Sequence, residues 1–275
     1  MSRRDTPGRD TPDGDAPGPA SPRLRYLTVY GRMPVAEAVE DLGVPLARVF
    51  VADTARGDVI DRIVSGARRR GVAVERVGEA RVALLARNGR HHQGVVADIA
   101  PPGLGALGPW LTGRRGRRHA TALLLLDGVH NPSNVGMIIR SATGAGIDGV
   151  VVPLRGTAEL GPLVLKASAG VALRATLLRA EDAAGAVAEL RDARFEVIGL
   201  DGGAAGAEDL FRADLPERAV YVLGNETEGL SPAVAAQVDR HLAIPLAGGV
   251  ESLNVACAAS VVAFELARRR AVREH

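Results

Sequence analysis

Apolar residues in this 275-residue chain fall into short runs whose period keeps changing between two and three-to-four. "VAVERV" alternates as a half-buried strand does, whereas "DVIDRIVSGARRRG" repeats its apolar positions at helical spacing and closes on Gly71. "MPVAEAVEDLG" reads as a helix, with Pro34 tolerated in its first turn and Gly43 at its end. "RVFVA" and "GVVADI" read as strands and "EARVALLARNG" as a helix, so residues 23–99 form a small α/β unit.

From residue 120 onward the runs are more uniformly apolar. Strand "TALLLLDGV" leads to helix "NVGMIIRSATGAG" and strand "GVVVPL", and a helical region follows around Leu163 to Gly170. Helix "AAGAVAELRDA", strand "FEVIGLDG", strand "RAVYVLGNE", helix "SPAVAAQVDR", strand "HLAIPLAGG" and a closing helix complete residues 120–275. Short apolar strands between helices predict a parallel sheet covered on both faces. No internal repeat is visible.

Between the two units, "APPGLGALGPWLTGRRGRRHA" is rich in Pro, Gly and Arg and reads as a linker over residues 100–119. Its Arg114, Arg115, Arg117 and Arg118 form a positive patch, either a solvated hinge or a contact for a phosphate backbone. Residues 1–22 carry almost nothing to bury and are expected to be disordered.

Composition narrows the classes. At 47% hydrophobic and 24% charged, with a formal charge of +2, the chain can bury one large core or two modest ones. Lys166 is the only lysine, so nearly all positive charge is Arg, which suits two-pronged phosphate contacts. Cys257 is the only cysteine, which excludes a disulfide framework and a thiolate metal cage. There is no apolar run of membrane-spanning length and no apolar secretory core, so a reducing cytoplasm is the expected location.

Ligands of open parallel sheets sit beyond the carboxyl ends of the strands. Three segments fall there: "DGVHNPSNVGMIIRSATGAG", "LGNETEGLSP" and "IPLAGGVESLNVA". Taken singly, Asn131 or Ser252 could be a plain helix cap and each glycine a plain turn. Three such loops in one unit point to a site. "NPSNVG" does not match the dinucleotide fingerprint, and Lys166 in "LVLKASAG" is no phosphate-loop lysine, so dehydrogenase and kinase chemistry is disfavoured. His91 and His92 lack the partners of a metal site, and no metal is expected.

Taken together, "NPSNVGMIIRSATGAG", "LGNETEGL" and "IPLAGGVESLNVACAASVVAFE" resemble, in order and spacing, the three signature motifs of the SpoU (TrmH) family of RNA ribose 2'-O-methyltransferases. "VYGRMPVAEAVE" and "HHQGVVADI" resemble the start and end of the ribosomal-protein-like substrate domain of its RlmB branch, which modifies a guanosine of large-subunit (23S) rRNA. The resemblance implies a SPOUT-type α/β sheet with a C-terminal trefoil knot, a homodimer, and S-adenosyl-L-methionine as methyl donor. It implies a donor site at Leu223, Gly224, Asn225, Gly229, Ile244, Pro245, Leu246, Ser252 and Leu253. It implies catalytic or substrate-orienting roles for Arg140, Asn134, Glu226, Ser252 and Asn254.

Aromatic residues are only 3% of the chain, so an aromatic platform for RNA bases is not expected. Arg68, Arg69 and Arg70, the linker arginines, and Arg268 to Arg270 are the candidate RNA contacts, although the last group would also suit a helix C-terminus. Within the chemistry that the resemblance implies, the alternatives are a tRNA methyltransferase and an antibiotic-resistance rRNA methyltransferase; from another class, a non-catalytic RNA-binding assembly factor.

Overall fold

The computed structural model describes residues 26–86, 91–114 and 120–273; the predicted tail and Arg115, Arg117 and Arg118 lie outside them. The first unit is a four-stranded sheet of β1 (Leu27–Tyr30), β2 (Leu46–Ala52), β3 (Ala73–Val77) and β4 (Val95–Ile99) in the order β1-β4-β2-β3. β2 and β3 run parallel, and β4 is antiparallel to β1 and β2. Helices α1 (Arg32–Glu40), α2 (Asp58–Arg69) and α3 (Glu79–Ala86) pack on it. Helix α2 begins with Asp58 and Asp61 and ends with Arg68 and Arg69, a charge order that opposes its dipole.

Arg70 departs from the expected RNA-contact role. Its guanidinium donates to the carbonyls of Ala38, Val39 and Asp41 at 3.0 Å each, and to that of Val44. Ala38 and Val39 are among the carbonyls that the end of α1 leaves without helical partners, and Asp41 and Val44 belong to the turn that follows it. Arg70 is therefore a brace between α1 and α2, while Arg68 and Arg69 remain exposed.

The second unit is an eight-stranded sheet, parallel throughout. Its strands are β5 (Leu104–Ala106), β6 (Thr121–Leu126), β7 (Gly149–Val151), β8 (Leu177–Arg179), β9 (Glu196–Leu200), β10 (Glu208–Asp209), β11 (Arg218–Leu223) and β12 (Arg240–Ala243). Across the sheet they lie in the order β10-β12-β9-β11-β6-β7-β8-β5. "TALLLL" can be apolar at its last five positions because both faces are covered. Leu124 and Leu126 join the core under α5 (Pro132–Gly144), α6 (Pro162–Ala167) and α9 (Val255–Arg273). Leu123 and Leu125 join the core under α4 (Leu107–Thr112), α7 (Ala183–Asp192) and α8 (Pro232–Ala235). The first of these cores continues into the small unit through Leu27, Val29 and Val35.

Several expectations need correction. The stretch read as a linker contributes β5, which pairs with β8, and α4, whose Leu107 and Leu111 are buried. Pro101 to Gly103 turn into β5, while Gly105, Gly108 and Pro109 lie inside the two short elements. The helix expected over "SPAVAAQVDR" is only the four residues of α8. α9 starts at Val255, so Ser252 and Asn254 precede the helix.

The C-terminal arginines are also largely structural. Arg269 reaches the carbonyls of Ala213 and Leu210 at 2.6 and 2.7 Å, and Arg270 binds Asp148 at 2.7 Å and the Gly146 carbonyl at 2.8 Å. The buried Glu265 accepts from Arg268 at 2.8 Å and Arg269 at 2.6 Å. The Arg268 contact first, with that of Arg269, holds the Glu265 carboxyl at about 2, against burial that pushes it up. An unfolded glutamate titrates near about 4.3, so this stabilisation is present above about pH 5 and lost as pH falls towards 2. In Glu265→Gln, thermal melts between about pH 5 and pH 2 should lose up to one proton of pH dependence. An acid limb as steep as that of the wild type would contradict this.

Candidate active site

The chain moves outward from β6 to β7 and β8, then crosses back to β9, β12 and β11 on the other side of β6. The strand order therefore reverses between β6 and β11, and a crevice opens at their carboxyl ends, as in other open α/β sheets. Asp127 and Gly128 leave β6 there, and Gly224 and Asn225 leave β11.

The two loops are tied by directed hydrogen bonds. The Asp127 Oδ2 accepts from the Ser231 amide at 2.7 Å, and Asn225 Nδ2 donates to the Gly128 carbonyl at 2.9 Å. Asn225 Oδ1 in turn accepts from the amides of Thr227 and Glu228 at 2.8 and 3.2 Å. Backbone bonds of 2.8 and 3.0 Å between Asn225 and Gly229 close "NETEG" into a tight turn. A Cβ at Gly224 would stand 2.4 Å from the Gly229 carbonyl carbon, so only glycine fits where this turn folds over the strand end.

The third loop joins them through Asn134. Asn131 caps α5 by accepting from the Ser133 amide at 2.9 Å, and Pro132 opens the helix. That cap fixes the first turn, in which Asn134 is 3% exposed. Asn134 Nδ2 donates to Glu226 Oε1, and Asn254 Nδ2 donates to Asn134 Oδ1 at 3.2 Å. Asn254 Oδ1 meanwhile caps α9, accepting from the Ala256 amide at 2.9 Å and the Cys257 amide at 3.4 Å. One residue from each of the three motifs thus forms a single chain, Asn254 to Asn134 to Glu226. The α9 cap is Asn254 and not Ser252, which is exposed.

Beside this chain lies a cavity of about 630 Å³. All nine residues expected at the donor site line it: Leu223, Gly224, Asn225, Gly229, Ile244, Pro245, Leu246, Ser252 and Leu253. Glu226 lines it as well. A fourth segment that sequence reasoning missed, Leu200 at the end of β9 and Asp201 to Gly203 beyond it, forms another wall. The signal was present: "DGG" directly follows a buried parallel strand, at the same end of the sheet.

Arg140 is not part of that wall. It is exposed on the third turn of α5 and makes no hydrogen bond or ion pair among the described residues. Met137, one turn earlier, is 41% exposed. On the neighbouring α9, which meets α5 through a 2.7 Å bond between Ser260 and Ser141, Phe264 is 55% exposed. Elsewhere, Arg114 stacks over Trp110 at 4.0 Å. The buried His92 accepts from the Gly94 amide at 3.1 Å, and its neighbour His91 is exposed.

Residues 121–264 match the model of the SpoU rRNA Methylase family, and residues 28–104 match that of the RNA 2'-O ribose methyltransferase substrate-binding domain. A Staphylococcus aureus protein assigned to the TrmH family of tRNA/rRNA methyltransferases is 31% identical over 247 residues, covering 90% of this chain and 98% of its own. The AdoMet-bound rRNA methyltransferase of Sinorhizobium meliloti superposes with a TM-score of 0.60 at 25% identity, covering 90% of this chain and 88% of that one. The SpoU methyltransferase AviRb of Streptomyces viridochromogenes, solved with AdoMet, superposes at 0.59 with 26% identity, covering 93% and 95%.

Proposed function

Because the chain belongs to the SpoU rRNA methylase family, we propose that it transfers a methyl group from S-adenosyl-L-methionine to a ribose 2'-hydroxyl of RNA, a guanosine of 23S rRNA being the preferred target. The observation that carries this reading is the chain Asn254–Asn134–Glu226 standing against a cavity that every expected donor-site residue lines. The resemblance to the RlmB branch supports the choice of RNA, and the shared family supports a knotted C-terminal segment.

The cavity suits the donor. Its volume of about 630 Å³ falls in the range of small-molecule clefts, about 300–1,000 Å³. Apolar Leu223, Ile244, Pro245, Leu246 and Leu253 supply a desolvated seat, while the turn backbones at Gly224 to Gly229 supply orientation. The bound donor supplies an electrophilic methyl on a sulfonium, which needs no metal to leave.

The protein's own work is alignment and charge placement. Two amides, held in one rotamer each by their neighbours, fix the Glu226 carboxylate at the rim, where the ribose is to be oriented. Ser252 lies on the same rim with its hydroxyl available to the sugar. The 2'-hydroxyl loses its proton as it attacks. A guanidinium stays protonated, so Arg140 acts by holding the substrate phosphate and stabilising developing negative charge.

Arg140 shares its exposed side of α5 with Met137, and Phe264 is exposed on α9 one turn beyond Ser260, which bonds Ser141 of α5. A second copy of the chain covers this face, and the cleft that receives Arg140 is completed in the homodimer. Sedimentation of Phe264→Asp should show a monomer with greatly reduced transfer.

The direct test is to incubate the protein with 23S rRNA and S-adenosyl-L-methionine carrying a labelled methyl group, then hydrolyse the RNA with alkali. Label is expected in an alkali-resistant dinucleotide containing 2'-O-methylguanosine. Label released as a base-methylated mononucleotide would overturn the ribose assignment. Donor binding with no transfer to any RNA would favour an assembly factor.

A further inference from the structure

A second compartment opens where the small sheet meets the large one. Thr28 and Tyr30 of β1 and Ala86 of α3 form one wall; His130 of the β6–α5 loop and Pro132 at the start of α5, with Leu163 of α6, form the other. It holds about 250 Å³, and a Cβ on Gly161 at its floor would stand 3.7 Å from the Thr28 carbonyl oxygen. The groove is thus the seam between the stretch matching the substrate-binding model and the stretch matching the methylase model.

Three features fit a nucleobase. The walls carry two rings, Tyr30 and His130, with Pro132 and Pro162 beside them, and flat groups of this kind accept the face of any base. Thr28, whose hydroxyl donates to Asp98 at 3.1 Å and keeps its lone pairs as acceptors, adds a polar group that can meet a base edge. The groove also shares a rigid wall with the active site. Gly128 is bound to Asn225 at 2.9 Å, and the Val129 carbonyl accepts from the Ala158 amide at 2.9 Å, so the loop is pinned from both sides. His130 and Asn134 are four residues apart, at most about 15 Å along the backbone.

We infer that this interdomain groove seats one unstacked RNA base beside the target ribose, with Tyr30 and His130 as its stacking surfaces. The inference rests on the proposed RNA methyltransferase reading. It replaces the aromatic platform, which the composition disfavours, with a single seat built from residues of both units. The occupant is RNA because one wall belongs to the substrate-binding unit and the other leads within one loop to Asn134.

The test uses the full chain, 23S rRNA unmethylated at the target ribose and three changes that leave the active site alone: Tyr30→Ala, His130→Ala, and Leu163→Trp to fill the groove. Each is expected to raise KM for RNA about tenfold or more, with kcat and the Kd for S-adenosyl-L-methionine within about twofold. Tyr30→Phe and His130→Phe keep a ring and should restore KM. Unchanged KM in all three variants, or a lowered melting temperature as their only effect, overturns the base seat while leaving the methyltransferase reading intact. If the wild-type protein methylates no RNA, the parent reading fails and the seat falls with it.

Discussion

Arg140→Ala should abolish measurable methyl transfer, by about a hundred- to a thousandfold, while donor binding stays within about twofold. The guanidinium has no partner within the described chain and does not touch the cavity wall, so its removal leaves the donor seat and the fold unperturbed. Its contribution arises only when a phosphate and a developing oxyanion are present. Arg140→Lys keeps the charge but loses the planar fork, and it should recover only part of the rate. Single-turnover transfer to rRNA, beside calorimetric titration of the donor, checks both statements. Turnover like that of the wild type in Arg140→Ala would remove this residue from the chemistry.

Gly224→Ala should produce the reverse pattern. The added methyl meets the Gly229 carbonyl carbon at 2.4 Å and the Leu230 amide nitrogen at 2.7 Å, both backbone atoms, so the turn itself must move. We expect donor affinity to fall at least about tenfold, with a stability loss of about 1–3 kcal/mol from overpacking. Gly144→Ala, at the end of α5 where a Cβ would meet nothing within 4 Å, is the matched control and should be neutral. Undiminished donor binding in Gly224→Ala would mean that the "NETEG" turn is not the donor's wall.

What the chain's letters reveal depends on how local the cause is. The helix-period and strand-period runs around α2, β4, β6 and β11 are readable because burial on one face or two imposes a fixed spacing. The strands β1, β8 and β10 are two to four residues long, too short to show a period, and they exist because a neighbouring strand offers its edge. β5 was hidden for a different reason: Pro and Gly around it suggested a linker, whereas its partner β8 lies some 70 residues away.

The site shows the same division. Motif residues were legible as a set, and the fold gathers the nine donor-site positions at one cavity. Their mutual contacts were not legible. Nothing local says that Asn134 bridges Glu226 and Asn254, across 92 and 120 residues. Arg70 shows the opposite error, since a run of three arginines looks uniform until one of them finds four carbonyls.

The all-parallel order of the large sheet also governs how the protein must acquire its shape. No two neighbouring strands can be joined by a tight hairpin, and β6 gains its second neighbour only after Leu223 has emerged from the ribosome. Loop-closure entropy therefore precedes most of the stabilising burial, and nucleation is correspondingly slow. During synthesis the "TALLLL" segment waits with one backbone edge unpaired and its apolar faces incompletely covered, the interval in which a holding chaperone matters most.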